Sequence, residues 1–183
     1  MSTKKKFILT GLAIWLALAS LGGVWESAFA ARQAAENSRT VSISSGKPAD
    51  AWFGQAGVYF SNSAYSGKVI LTRPALGTRK SPEAQLGKQD LAASHRYLEF
   101  KVEDPAWKQV SLLRGLNYVY FNLNSEERVL WNKGDLAIYF FDTGEGEWVE
   151  CLANHLVSKG DHGRLGCLAA YTGLYVLGET TDD

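Results

Sequence analysis

Apolar and polar residues alternate with a period of two in several short stretches of the chain. Leu98, Phe100 and Val102 interleave with polar or aromatic neighbours, and the same alternation recurs over residues 119–123. Residues 136–141 are apolar on both faces, which predicts a strand in the interior of a sheet. Further strands are predicted at residues 41–45, 52–60, 67–73, 147–152, 164–170 and 173–178. Eight or nine short strands without a βαβ alternation predict an all-β fold, an antiparallel sandwich or barrel, of which we expect the β-sandwich.

Residues 1–30 have the features of an export signal. Three lysines precede an uncharged stretch at residues 7–25, and the small residues Ala28 and Ala30 form a cleavage motif. We predict a signal peptide that is cleaved after Ala30. The alternative is a hydrophobic helix that is retained as a membrane anchor, because residues 7–25 approach the length that crosses a bilayer. Both interpretations place the rest of the chain outside the cytoplasm, in a periplasmic, secreted or membrane-anchored form.

The remainder divides into two parts. Residues 31–50 are mostly small or polar and predict a linker followed by the first strand. Residues 51–180 contain the short alternating strands that predict the sandwich domain. Residues 74–94 interrupt the alternation because they are rich in Ala, Gly, Lys and Gln. A short helix that begins after Pro82 and a long exposed loop are both compatible with this stretch.

The net charge of the chain bears on which classes of function are possible. The 183 residues include 19 Lys and Arg against 19 Asp and Glu, and 46% of the chain is hydrophobic. Removal of residues 1–30 takes away three lysines and Glu26, which leaves two more acidic than basic residues. The balance excludes a dedicated nucleic-acid-binding protein, which normally carries a basic excess.

The two cysteines, Cys151 and Cys167, predict a disulfide, because an even number of cysteines in an exported domain favours one. We expect it to join neighbouring antiparallel strands. His155 and His162 lie between them in sequence, so a zinc site built from all four side chains is the alternative. The spacing fits no common zinc finger, and we expect two solvated loop histidines beside the disulfide, with no metal and no cofactor.

Motifs of catalysis are missing from the sequence. It contains no Gly-x-Ser-x-Gly elbow, no His-Glu-x-x-His helix and no phosphate-binding loop. Asp142, Glu145, Glu147 and Glu150 surround a predicted hairpin turn, where exposed acids are common. We therefore expect neither a glycosidase pair nor a calcium site there, and we expect that the protein is not an enzyme.

Aromatic residues supply the candidate ligand contacts. Tyr97, Tyr118 and Tyr120 fall at strand positions that face away from the predicted core. Outward aromatic side chains stack on sugars or anchor protein partners. We take the pair Tyr118 and Tyr120 as the best candidate, against the alternative that such residues only fill the sandwich.

Five segments carry a resemblance to known sandwich modules. They are Leu-Asn-Tyr-Val-Tyr-Phe-Asn-Leu at 116–123, Leu-Ala-Ile-Tyr-Phe-Phe-Asp at 136–142, Glu-Trp-Val-Glu-Cys at 147–151, Gly-Arg-Leu-Gly-Cys-Leu-Ala at 163–169 and Tyr-Thr-Gly-Leu-Tyr-Val-Leu-Gly at 171–178. Their order resembles the C-terminal half of β-sandwich modules in bacterial exported and cell-surface proteins, which are distantly similar to the sandwich modules of netrin receptors and ankyrins. The resemblance implies a sandwich with a structural or interaction role.

Some relatives of that sandwich cleave their own backbone at a His-Phe-Ser site. The matching positions here are Ala170, Tyr171 and Thr172, so the histidine that assists the attack is missing. Because a hydroxyl without a base is a poor nucleophile, we predict that the chain is not self-cleaved.

These features lead to three functional hypotheses. The first is a non-enzymatic exported β-sandwich with a structural or interaction role at the cell surface or in the periplasm, whose partner is an unknown protein or a glycan. The second is a carbohydrate-binding module that uses exposed aromatic residues. The third is a small metal-binding or hydrolytic protein that uses His155 and His162.

Overall fold

The structure, a computed structural model, describes residues 37–73, 91–159 and 162–180. The described part contains twelve strands and one helix. In chain order they are β1 (Ser38–Ile43), β2 (Ala49–Phe53), β3 (Ala56–Phe60), β4 (Gly67–Thr72), β5 (Leu91–Glu103), β6 (Gln109–Val110), β7 (Asn117–Asn122), α1 (Ser125–Lys133), β8 (Leu136–Asp142), β9 (Glu147–Glu150), β10 (His155–Lys159), β11 (His162–Leu168) and β12 (Gly173–Thr180).

The strands form two antiparallel sheets. The first sheet has the order β1-β4-β5-β12-β8-β9, with β6 paired to the end of β5, and the second has the order β10-β11-β7-β3-β2. The all-β expectation is confirmed, and β8 is an interior strand as predicted. The expected eight or nine strands were too few. The stretch 52–60 forms two strands around a turn at Gly54, and residues 155–159 pair with β11 although we expected a loop.

The core lies between the sheets because alternate residues of each strand point to the opposite sheet. From the first sheet, β4, β5 and β12 contribute side chains that are almost fully buried. From the second sheet, β3, β7 and β11 do the same. The buried side chains include Val69, Leu71, Leu98, Phe100, Val102, Tyr175, Val58, Phe60, Val119, Phe121, Leu165 and Cys167. They belong to one cluster, so the two sheets pack face to face as a sandwich.

A disulfide joins Cys151 to Cys167, as predicted, with 5.8 Å between their Cα atoms. Its position differs from our expectation. Cys151 directly follows β9 in the first sheet, whereas Cys167 points inward from β11 in the second. The bond therefore connects the two sheets rather than neighbouring strands of one sheet.

Helix α1 was not predicted, although its ends carry clear sequence signals. Asn124 caps the first turn by accepting a hydrogen bond from the Glu127 amide, and the Glu127 carboxylate accepts from the Asn124 amide in return. Gly134 ends the helix in the left-handed conformation. The buried Glu127 carboxylate also forms an ion pair with Arg96 of β5, which fixes the helix against the first sheet.

Several predictions fall outside the described residues. These are the signal peptide or membrane anchor at residues 1–30 and the short helix after Pro82. Within the described ranges, no helix combines the length and the apolarity that crossing a bilayer requires.

Candidate functional site

The outer face of the second sheet carries a group of aromatic side chains that remain partly exposed. They come from four of its five strands: Trp52, Tyr59, Tyr118, Tyr120 and His155. Asp50, Asn122 and Arg164 lie among them on the same face. We call these eight residues the aromatic face. Period-two alternation places them there, because their neighbours in each strand point into the core.

One cross-strand row of the aromatic face alternates between rings and glycines. Pairing aligns His155 with Gly166, Gly166 with Tyr120, Tyr120 with Gly57, and Gly57 with Trp52. Since neighbouring strands lie about 4.8 Å apart, the three ring-bearing positions recur about every 10 Å across the sheet.

The glycines let the rings lie against the backbone. A Cβ atom at Gly166 would lie 2.2 Å from Cε1 of Tyr120, and one at Gly57 would lie 2.6 Å from Cδ2 of Trp52. Any larger residue would force these rings away from the sheet. The alternation of glycine and aromatic residues therefore lets the rings of Tyr120 and Trp52 lie against the sheet, a device that also stabilises it.

Tyr118 and Tyr120, the predicted ligand-contact pair, lie together on this face. Their rings are stacked with centroids 5.9 Å apart. His155 meets both rings edge-on, at centroid distances of 5.7 Å from Tyr118 and 6.2 Å from Tyr120. The three residues form one aromatic group, and its contact with a ligand stays a prediction.

His155 is held in one orientation by its own loop. Its Nδ1 atom lies 2.9 Å from the carbonyl oxygen of Ala153. Because a carbonyl oxygen only accepts, Nδ1 donates in this hydrogen bond, and Nε2 is then the acceptor of the neutral ring. His155 opens strand β10 instead of lying in the expected loop, and it stays partly exposed on the aromatic face. His162 opens the paired strand β11.

Arg164 extends across the aromatic face from β11. Its guanidinium carbon lies 4.4 Å from the ring centroid of Trp52 in β2, on the far side of β7 and β3. This is a cation–π contact. Burial, followed by the neighbouring Tyr118 and Tyr59, raises the pKa of Tyr120, while Arg164 acts in the opposite direction. Tyr118, Tyr59 and Arg164 therefore lie near enough to the Tyr120 hydroxyl to affect its pKa.

The other predicted sites contain no comparable grouping. At the β8–β9 turn, the Asp142 carboxylate accepts hydrogen bonds from the Gly144 and Glu145 amides and so stabilises the turn itself. Among the described residues, no three His, Cys, Asp or Glu side chains are placed to hold a metal ion. The cysteines of the zinc alternative are consumed by the disulfide. At the position that matches the self-cleavage site, the Thr172 hydroxyl donates a hydrogen bond to the Val110 carbonyl at 2.9 Å.

A cleft of about 770 Å³ opens between the C-terminal end of α1 and the connection from β9 to β10. Lys133, Glu150 and Leu152 are among its lining residues. The polar groups of Asn154 in its wall are engaged in the fold, because the side chain accepts from the Ile138 amide and donates to the Cys151 carbonyl. The Asn154 side chain therefore supports the wall of the cleft.

The sequence-based prediction of the site missed five of the eight residues of the aromatic face, which are Trp52, Tyr59, Arg164, Asp50 and Asn122. Their signal was the two glycines inside strands, Gly57 and Gly166, since a strand glycine often marks the close approach of another group. Tyr97 was the opposite error. It faces outward from the first sheet but is only 7% exposed.

Comparison of the chain with protein-family models, with curated proteins and with solved structures finds no match in any of the three. The resemblance to the sandwich modules of netrin receptors and ankyrins therefore stays a prediction.

Proposed function

We propose that the protein is a non-enzymatic, exported binding module that holds a glycan on the aromatic face. The observation that carries the proposal is the row in which His155, Tyr120 and Trp52 alternate with Gly166 and Gly57. Ring faces are weakly negative, and the C–H groups of a pyranose are apolar and weakly positive, so the two surfaces stack. Aromatic side chains repeated across the sheet suit an extended chain of sugars better than a single small molecule.

Polar groups on the same face provide the hydrogen bonds that a sugar requires. Tyr59, Tyr118 and Tyr120 carry hydroxyl groups that donate and accept, and Asn122 and Asp50 add an amide and a carboxylate. Apolar surface with a few convergent polar groups is the general composition of a ligand site.

A binding role fits the aromatic face better than hydrolysis. Glycoside hydrolysis normally uses two carboxyl groups that flank the scissile bond. On the aromatic face, within the described residues, Asp50 is the one carboxylate. We therefore propose binding without bond cleavage.

The proposed export rests on the N-terminal signal and on the disulfide. Disulfides persist in oxidising compartments and are rare in the reducing cytosol. The bond between Cys151 and Cys167 is consistent with a domain that works outside the cytoplasm.

Affinity electrophoresis of the purified protein through gels containing different neutral and acidic polysaccharides tests the proposal. We expect at least one polysaccharide to retard the wild type. Trp52→Ala or Tyr120→Ala should weaken binding about tenfold or more, as buried aromatic contacts do. Gly166→Ala should weaken it as well, because the added Cβ lifts the Tyr120 ring without removing it.

Trp107→Ala is the matched control, since Trp107 is 71% exposed and contacts Lys68 of the first sheet. It should bind like the wild type. The proposal is wrong if no polysaccharide retards the wild type, or if Trp52→Ala and Tyr120→Ala are retarded as strongly as the wild type.

A second candidate, protein interaction, is favoured by a strip of exposed apolar residues. Leu112 and Tyr171 form a β-bridge and are 58% and 49% exposed. Phe140 stacks on Tyr171 with centroids 5.7 Å apart and pairs with the exposed Val149. Contiguous apolar surface of this kind marks interaction sites. The electrophoresis separates the two candidates, because a module that works through this strip is retarded by no polysaccharide.

A further inference from the structure

The arginine on the aromatic face is positioned in an unusual way. Arg164 starts from β11, yet its guanidinium lies over the indole of Trp52 in β2, the strand at the edge of the sheet. The side chain therefore crosses the face instead of extending into solvent. Stacking on an aromatic ring holds the guanidinium plane in place, so less entropy is lost when its N–H groups bind a ligand.

Among the residues that the structure describes, no acidic side chain forms an ion pair with the guanidinium of Arg164. Within the described part of the chain, its one side-chain contact of an ionic or aromatic kind is the stacking on Trp52. Arg96 provides the contrast, because it forms an ion pair with Glu127 and donates to Gln55. The five N–H donors of Arg164 are thus available, and their geometry matches two oxygens of a carboxylate or sulfate.

Asp50 is the opposing charge on this face, and it lies in a different row. Pairing aligns it with Tyr59, which in turn aligns with Tyr118. A carboxylate at that place accepts hydrogen bonds from sugar hydroxyls, while the row that contains Trp52 presents the positive charge. The two charges lie at distinct places along the strands.

We infer that the glycan bound by the aromatic face is acidic, and that the guanidinium of Arg164, held over Trp52, binds its carboxylate or sulfate group while the tyrosine rings of the same face stack on its sugars. The inference rests on the proposed function. It assigns Arg164 as the residue that distinguishes an acidic glycan from a neutral one. The negative charge of the glycan is either the carboxylate of a uronic acid or a sulfate ester, and matched pairs of polymers distinguish the two.

Two pairs of polymers isolate the charge. Polygalacturonate and its methyl ester share a backbone and differ in the carboxylate, whereas dextran sulfate and dextran differ in the sulfate. We expect the wild type to bind at least one acidic polymer about tenfold more tightly than its neutral counterpart, and added salt should reduce this difference. Preference within the first pair identifies a carboxylate, and preference within the second identifies a sulfate.

Variants then assign the preference to Arg164. Arg164→Gln removes the charge and keeps a polar side chain at this position, so it should lose about tenfold to a hundredfold in affinity for the acidic polymer. Its preference for the acidic over the neutral polymer should therefore disappear. Arg39→Gln is the matched control, because Arg39 is an exposed arginine of β1 in the first sheet and its loss changes the net charge equally. It should keep the preference.

The outcomes are distinct. Equal binding of acidic and neutral polymers, or a preference that survives in Arg164→Gln, overturns the inference and leaves the proposed function in place. A preference that Arg39→Gln loses as well also overturns it, because general charge attraction then explains the result. A wild type that binds no polysaccharide overturns both proposals, and in that case Trp52→Ala has no binding to lose.

Discussion

The outer faces of the two sheets use similar residues for different ends. On the first sheet, Tyr97 aligns with Val176, and Val176 with Tyr139, and all three are at most 7% exposed. On the second sheet, Tyr120 aligns with Gly57, and Gly57 with Trp52, and both rings remain partly exposed.

The residue between the aromatic positions accounts for much of the difference. The branched side chain of Val176 fills the space between its neighbours, so that rings and methyl groups form a packed apolar cluster with Trp148. Gly57 leaves that space open, and the indole of Trp52 lies against the backbone. Aromatic residues at outward positions therefore do not by themselves identify a binding face; the glycines and the polar neighbours do.

The largest expected effect separates the faces by stability. Trp148→Ala should lower the free energy of unfolding by about 3–5 kcal/mol, because Trp148 is 5% exposed and its removal leaves a cavity. Trp52→Ala should cost about 1 kcal/mol, mainly the cation–π contact with Arg164. Urea denaturation of both variants measures the two values.

Equal losses of stability in the two tryptophan variants would contradict the comparison. The aromatic face would then be structural, like the outer cluster of the first sheet. Trp107→Ala is the baseline for removing an indole that is largely exposed.

The disulfide connects the sheets that carry the two faces, so its removal should weaken both together. The bridged cysteines are 16 residues apart, and replacing both with alanine should cost about 3 kcal/mol in the chain-entropy model. Polysaccharide binding per folded molecule should stay unchanged. Thiol alkylation of protein recovered from its native host should detect no free cysteine; a reduced pair there would contradict the proposed export.

The smallest effect concerns the ionisation of tyrosines. Burial raises the pKa of Tyr175, a core residue whose hydroxyl donates to the Tyr171 carbonyl at 2.7 Å. The folded state therefore keeps a proton that the unfolded state releases above about pH 10, so stability falls as the pH rises beyond that value. The slope is about 1.4 kcal/mol per pH unit for each such tyrosine.

Denaturation at about pH 9 and about pH 11 should show this fall in the wild type, since the two values bracket the usual tyrosine pKa. Tyr175→Phe should reduce the fall, although its stability starts about 1 kcal/mol lower because a hydrogen bond is lost. Tyr120→Phe, on the partly exposed face, should reduce it less. A slope that is identical in the wild type and Tyr175→Phe would exclude Tyr175 as its source.

The period-two pattern predicted most strands. It failed where a segment without that pattern becomes a strand because it pairs with a neighbouring strand. Residues 155–159 contain His and Lys beside a glycine, a composition that indicates a loop, but they pair with β11. Helix α1 was missed for a different reason. Its capping residues Asn124, Glu127 and Gly134 are present in the sequence, but the helix has only nine residues, fewer than a helical period needs to be recognised.

The candidate site was also predictable only in part, because some of its residues share a strand and others come from distant segments. Tyr118 and Tyr120 lie two residues apart in one strand, so the sequence alone places them on one face. Trp52 and Arg164 are separated by more than a hundred residues, and their contact requires the order of four strands. No local pattern contains that order.

By itself the sequence determined that the strands have two faces, that Cys151 and Cys167 pair, and that Tyr118 and Tyr120 point the same way. These are properties of alternation within one strand and of having two cysteines. Only the tertiary structure decided which outward face is buried, that the disulfide joins the two sheets, and that Arg164 lies over Trp52. Strand order and sheet packing depend on contacts between distant segments, whereas the alternating pattern reports only on neighbours along the chain.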